Sequence, residues 1–178
     1  MHPRIQEVLA HLDQSHAELH RIVLNVPSAM RERSPGEGRW SVAGIIEHLA
    51  LVEDRVGKSI DNTLQAARAN GLGRDTETSP VTPTFDQTLI RDRTQTIVAR
   101  EGALPTGIDC DSAWALFDKH RSTTRELVIA ADGEDLSAVT LQHGRFGLIN
   151  IYQWLLFLGG HESRHADQVR ATAKALVG

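Results

Sequence analysis

Apolar residues recur along this chain at helical spacing in four long stretches, and no stretch shows the continuous alternation of a strand. In residues 4–26, Ile5, Val8, Leu9, Leu12, Leu19, Val23 and Val26 fall on one side, and Pro27 closes the segment. After a loop whose Pro35, Gly36 and Gly38 are turn formers, Ser41 is placed to cap a second helix running to about residue 69. Its stripe is Val42, Ile45, Leu49, Val52, Val56 and Ile60. Residues 70–83 are polar and rich in Gly, Thr and Pro, so they read as a loop. A shorter, weaker helix is expected over 85–100. Asp111 or Ser112 then caps a third major helix to about residue 131, facing inward through Ala113, Phe117, Leu127 and Val128. Residues 132–148 read as irregular, with DGED and HGRFG as turns, and a fourth major helix follows over 150–176.

Four amphipathic helices with one long connection, between the second and third, predict an all-α four-helix bundle with a crossover. At 178 residues the chain is expected to be a single domain, residues 1–178, with one sizeable core. Composition changes this picture little, but it narrows the partners. A net charge of −4 gives no basic footprint for nucleic acid. No apolar run is long enough for a membrane span, and the amphipathic N-terminus lacks the layout of a signal peptide. A lone cysteine, Cys110, forms no intrachain disulfide. A cytoplasmic protein acting on a small molecule, with neither nucleic acid nor membrane as partner, is the expectation.

The chemistry lies in nine histidines, a high count for this length. His161 and His165 are four residues apart on the last helix, one above the other on the same face. At about 100° per residue, Trp154, Leu158, Val169 and Leu176 lie within roughly 40° of His165, so both rings sit in the apolar stripe. Unpaired polar groups are costly there, and a shared metal ion is the simplest remedy. Three imidazoles on a divalent ion leave coordination positions open, as in a reactive rather than a closed structural site. A third imidazole could come from His16, His20, His48, His120 or His143, and periodicity does not choose among them.

The segments PGEGRWSVAGIIEHLA and HGRFGLINIYQWLLFLGGHESRHADQVR resemble the DinB-like superfamily. That family carries a Trp-Ser-…-His-Leu block on its second helix and a His-x-x-x-His-x-x-Gln block on its last. The resemblance implies His48, His161 and His165 as metal ligands and Gln168 as the trailing glutamine. Gly144 stands where many relatives have proline, which reads as a loop difference. Members of the superfamily are described as metal-dependent hydrolases and also as thiol-dependent S-transferases or isomerases.

The expected function is therefore a three-histidine site for one divalent metal, Zn or Ni, activating water for hydrolysis in a cleft between helices. An alternative is transfer or isomerisation assisted by a low-molecular-weight thiol, with Arg55 and Arg145 as the cationic groups for its carboxylates. A non-enzymatic, stress-related metal-binding protein is the remaining reading. Glu162 is a weak candidate for a general base, weighed against a carboxylate paired with a neighbouring helix. Gln168 could hydrogen-bond a ligand imidazole, and Arg55, two turns beyond His48, could hold an anionic substrate. His120 reads as a satisfied inward histidine, His143 as a loop residue at the mouth of the site or in solvent. Cys110 reads as a small core or cap residue, and Trp40, Trp114 and Trp154 as packing. Leu156 and Phe157, off the main stripe, would suit a homodimer interface.

Overall fold

The computed structural model of the protein describes residues 1–91 and 101–177. In chain order its helices are α1 (Pro3–Leu24), α2 (Ser28–Arg31), α3 (Val42–Ala69), α4 (Thr88–Arg91), α5 (Cys110–Ala130) and α6 (Ile151–Val177). Strands β1 (Thr140–His143) and β2 (Gly147–Asn150) form an antiparallel hairpin between α5 and α6. The four long helices match the four periodic stretches, and they form the expected four-helix bundle. Of the helix expected over 85–100, Thr88–Arg91 is helical; residues 92–100 lie outside the described residues.

Helix directions follow from a few long-range bonds. Asp75, just past the end of α3, accepts from Arg4 at the start of α1 and from the Tyr152 hydroxyl at the start of α6, at 3.2 and 2.8 Å. Its backbone N–H donates to Gly133, just past the end of α5. Helices α1 and α6 therefore run parallel to each other and antiparallel to the parallel pair α3 and α5. Packing follows the same pairing, α1 chiefly against α6 and α3 chiefly against α5. A parallel neighbour cannot be reached by a short turn, which is why the connection from residue 70 to 109 is long.

The apolar core falls into two groups along the bundle. One holds Ile5, Leu12, Val56, Ile60, Tyr152 and Leu155; the other holds Leu19, Ile45, Ile46, Phe117, Ala166 and Val169. Between them on their own helices stand His16, Glu53, Arg121 and Glu162. The buried Arg121 guanidinium donates to both oxygens of Glu53, at 3.1 and 2.9 Å, to Glu162, and to the Leu12 carbonyl at 3.2 Å. His16 Nδ1 lies 3.7 Å from the remaining Glu162 oxygen. One polar layer thus ties all four long helices together at mid-height.

Two local expectations are corrected. The segment 132–148 was expected to be irregular, yet Thr140–His143 pairs with Gly147–Asn150. Each strand is four residues long, too short for alternation to register in the sequence. The cap of α5 is Asp109, accepting from the Ser112 N–H at 2.9 Å, rather than Asp111 or Ser112. Ser41 does cap α3, accepting from the Gly44 N–H at 3.1 Å. Among the described residues, no helix is long and apolar enough to cross a membrane.

Candidate metal centre

Gly159 and Gly160 interrupt the apolar run of α6 just before His161. A methyl at Gly159 would collide with the His11 ring on α1, and one at Gly160 with Ile90 on α4. The two glycines let both elements press onto α6, and Arg164 ties α4 down by donating to the Ile90 carbonyl at 3.1 Å. Directly after the glycines His161, and His165 one turn further on, project from the same face, and α3 brings His48 to meet them. One ring nitrogen from each of the three lies within 4.8 Å of the others.

The protonation of this group follows from its partners. His48 Nδ1–H donates to the Ala103 carbonyl at 2.7 Å, and His165 Nδ1–H donates to Gln168 Oε1 at 2.7 Å. Both partners are acceptors, so each neutral ring carries its proton on Nδ1 and its lone pair on Nε2. His165 Nε2 stands 3.1 Å from His161 Nε2. Two nitrogens bound at about 2.0–2.1 Å to one ion stand roughly 2.8–3.4 Å apart at octahedral to tetrahedral angles, so this spacing suits a shared ion. Burial, then the neighbouring His165 and His48, pushes His161 well below the usual imidazole value. Burial likewise pushes His48 down, with Arg55 adding to it, against the opposing hydrogen bond to Ala103. Neutral imidazoles are the form that binds metal.

The loop that fixes His48 is itself held by the preceding residue. The buried Glu47 carboxylate accepts from the Thr106 N–H (2.8 Å), the Thr106 hydroxyl (2.6 Å), the Gly107 N–H (3.0 Å) and the Ile108 N–H (3.4 Å). Burial alone would raise its pKa, but the Thr106 hydroxyl and these backbone donors outweigh it and hold Glu47 below the usual carboxylate range. Glu47 was not anticipated from the sequence. Its signal was a carboxylate one residue before a candidate ligand, inside the apolar run VAGIIEHLALV. The Ala103 carbonyl, a backbone group, leaves no sequence signal.

The three histidines open into a cavity of about 1160 Å³. Phe157 stacks on His161 with ring centres 5.4 Å apart and planes at 19°, and Trp40 lies 4.8 Å from His48. Arg39, Arg55, Arg145 and Arg164 line the cavity, and its described lining residues include no aspartate or glutamate.

Among the residues singled out from sequence, the structure brings together His48, His161 and His165, with Gln168 hydrogen-bonded to one of them and Arg55 in the cavity wall. Glu162 does not join them as a base. It is 1 % exposed, turned into the core against Arg121, and absent from the cavity lining. The same 100° step that puts it beside His161 in sequence turns it toward α5. His16 pairs with Asp118 at 2.8 Å, His20 stacks on Trp114, and His120 lies 3.2 Å from Asp54. His143 lines the cavity, its Nδ1 accepting from the backbone N–H groups of Arg145 and Phe146. Cys110 is buried, and that burial pushes its thiol up to about 11, which leaves it no nucleophile. Leu156 and Phe157 are not a dimer face: Leu156 is fully buried and Phe157 lies in the cavity wall.

Comparison with solved structures supports the fold. The chain resembles the crystal structure of TT2238, a four-helix bundle protein, at 21% identity and a TM-score of 0.63, over 94% of this chain and 98% of that one. A comparison with curated proteins gave no match. The family profile of the DinB superfamily matches residues 11–169, a span that includes all three histidines, the loop that orients His48 and the hairpin before α6. The protein is a member of the DinB superfamily.

Proposed function

We propose that the protein is a divalent-metal-dependent enzyme in which His48, His161 and His165 hold a single ion and a small molecule binds in the adjoining cavity. The observation that carries this is the commitment of the Nδ1 protons of His48 and His165 to fixed acceptors, which makes Nε2 the lone-pair nitrogen of each ring, with one ring nitrogen of each of the three histidines within 4.8 Å of the others. Ligating histidines are oriented in this way by their outer partners. Three imidazoles suit Zn²⁺ or Ni²⁺. Such an ion supplies Lewis acidity, lowering the pKa of a water or a thiol and polarising an electrophile.

Hydrolysis, with water as the nucleophile, needs the fewest parts. The chain's own residues then shape the cavity: Phe157 shields one side of the histidines, and the arginines orient an anionic group. A second reading, in which a low-molecular-weight thiol is the nucleophile, draws support from those four arginines, which suit the carboxylates of such a cofactor. The burial of Glu162 against Arg121 weighs the same way, because it removes the carboxylate a hydrolase would use as a base. The wide cavity next to the histidines speaks against a purely structural or stress-related metal site.

Metal content of protein prepared without an affinity tag, alongside His48→Ala, tests the ion. About one equivalent in the native chain and a loss of most of it in the variant is expected. Equal content in both would overturn the ligand assignment. Turnover of activated esters without thiol, abolished by a chelator, would support hydrolysis; chelator-sensitive turnover that requires an added thiol would support the second reading. A stable, metal-bound protein inert in both assays would return the non-enzymatic reading.

A further inference from the structure

We infer that Phe157 is the positioning residue of His161, and that the hairpin before α6 holds it to that task. The role rests on the reading of the three histidines as a metal site, and names what aims the third ligand. His48 is fixed by the Ala103 carbonyl and His165 by Gln168 on its own helix. Among the described residues, the hydrogen bonds of His161 reach only His165 Nε2, a fellow ligand and no outside anchor. Phe157 stands where an anchor is needed. It lies one turn before His161 on α6, and its ring stacks on the imidazole with centres 5.4 Å apart and planes at 19°. Offset-stacked rings at that separation attract each other. A stack fixes the plane of a ring, and the plane of His161 decides where its Nε2 points. In the plane so set, the ring stands at 83° to that of His165 and at 62° to that of His48.

A stack positions its partner only if the stacking ring is itself held. Phe157 meets Trp154 edge to face at 5.5 Å and 82°, and His143 at 4.6 Å and 64°. Both of those rings are tied to the hairpin. Trp154 Nε1–H donates to the Leu141 carbonyl at 3.4 Å, and His143 Nδ1 accepts from the backbone N–H groups of Arg145 and Phe146. Phe146, the last residue of the turn, adds a further edge contact to Phe157 at 6.2 Å. Each ligand is thus aimed by a different part of the fold: His48 by the loop after residue 100, His165 by its own helix, and His161 by the hairpin through one aromatic ring.

The test is titration of metal-stripped protein with cobalt(II), read by visible absorption and chelator competition, in the native chain, Phe157→Leu and Phe157→Tyr. Leucine keeps apolar volume without an aromatic face; tyrosine keeps the face. Phe157→Leu is expected to weaken cobalt binding by about tenfold, the low end for loss of a ligand's outer partner, and to change the ligand-field bands. Phe157→Tyr should match the native chain in both. Native affinity and bands in Phe157→Leu would overturn the inference. So would a Phe157→Tyr chain as defective as Phe157→Leu, because the aromatic face would then not be what matters. Proton NMR of metal-free protein reads the stack directly. In the native chain the His161 ring protons should lie upfield of those of an exposed histidine, and Phe157→Leu should release that displacement. An undisplaced position in the native chain would overturn the inference even if the leucine variant fails to fold. A native chain that takes up no cobalt defeats the metal reading instead, and the ring-proton shifts still decide whether Phe157 holds the ring.

Discussion

Replacing Glu47 by glutamine tests the route by which the fold aims His48. The carboxylate receives four donors from residues 106–108, two on each oxygen. Glutamine can keep the Thr106 pair on its carbonyl oxygen, but it then turns an NH₂ toward the Gly107 and Ile108 N–H groups. Bonds to a charged acceptor are worth about 1.5–3 kcal/mol each, and the Ile108 bond is long, so the loop should lose about 2–4 kcal/mol. That loop carries the Ala103 carbonyl, which fixes the His48 tautomer and ring angle. Loss of such an outer partner typically weakens metal binding by about 10- to 100-fold. Zinc affinity measured by chelator competition at pH 7.5, beside thermal melts, reads both effects. Ser41→Ala is the control: it removes the α3 cap, costs about 1 kcal/mol, and leaves the loop bonds in place, so zinc affinity should hold. If Glu47→Gln melts lower yet binds zinc as tightly as the native chain, the loop does not position His48 and the reasoning fails.

The polar layer gives two further predictions. Arg121→Met leaves Glu53 and Glu162 buried without their cation and should cost about 3–5 kcal/mol in urea denaturation; a loss under about 1 kcal/mol would show the layer relaxes by admitting water. His16 gives a pH dependence. Its burial lowers its pKa, but the Glu162 carboxylate 3.7 Å away, together with Asp118, to which the ring is hydrogen-bonded, outweighs this and raises it above the usual imidazole value of 6.5. A raised folded-state pKa contributes stability that is full below about pH 6.5 and is lost as pH rises through the higher folded value. In metal-free protein His48 and His161, whose values are lowered, oppose this slope, so the check is the difference between native chain and variant: the stability lost in His16→Gln should be larger at pH 6 than at pH 8.5, and an equal loss at both would refute the assignment.

The sequence by itself determined the long helices and two of the three site histidines as a pair. Both are short-range properties: a 3.6-residue period sorts Val52, Val56 and Ile60 onto one face of α3, and the i, i+4 spacing alone puts His161 above His165. The choice of His48 came from a resemblance in motif, because an angle on one helix says nothing about which neighbour it faces. Only the tertiary structure decided that α3 and α5 run parallel, so that His48 meets α6 and the loop after residue 100 supplies its acceptor. It also separated Glu162 from the histidines it adjoins in sequence, since neighbours on a helix diverge by about 100° and pack against different partners. The hairpin at 140–150 and the four arginines around the cavity depended on contacts between segments far apart in the chain. Pattern fixes which face of an element is buried, and packing alone fixes what that face is buried against.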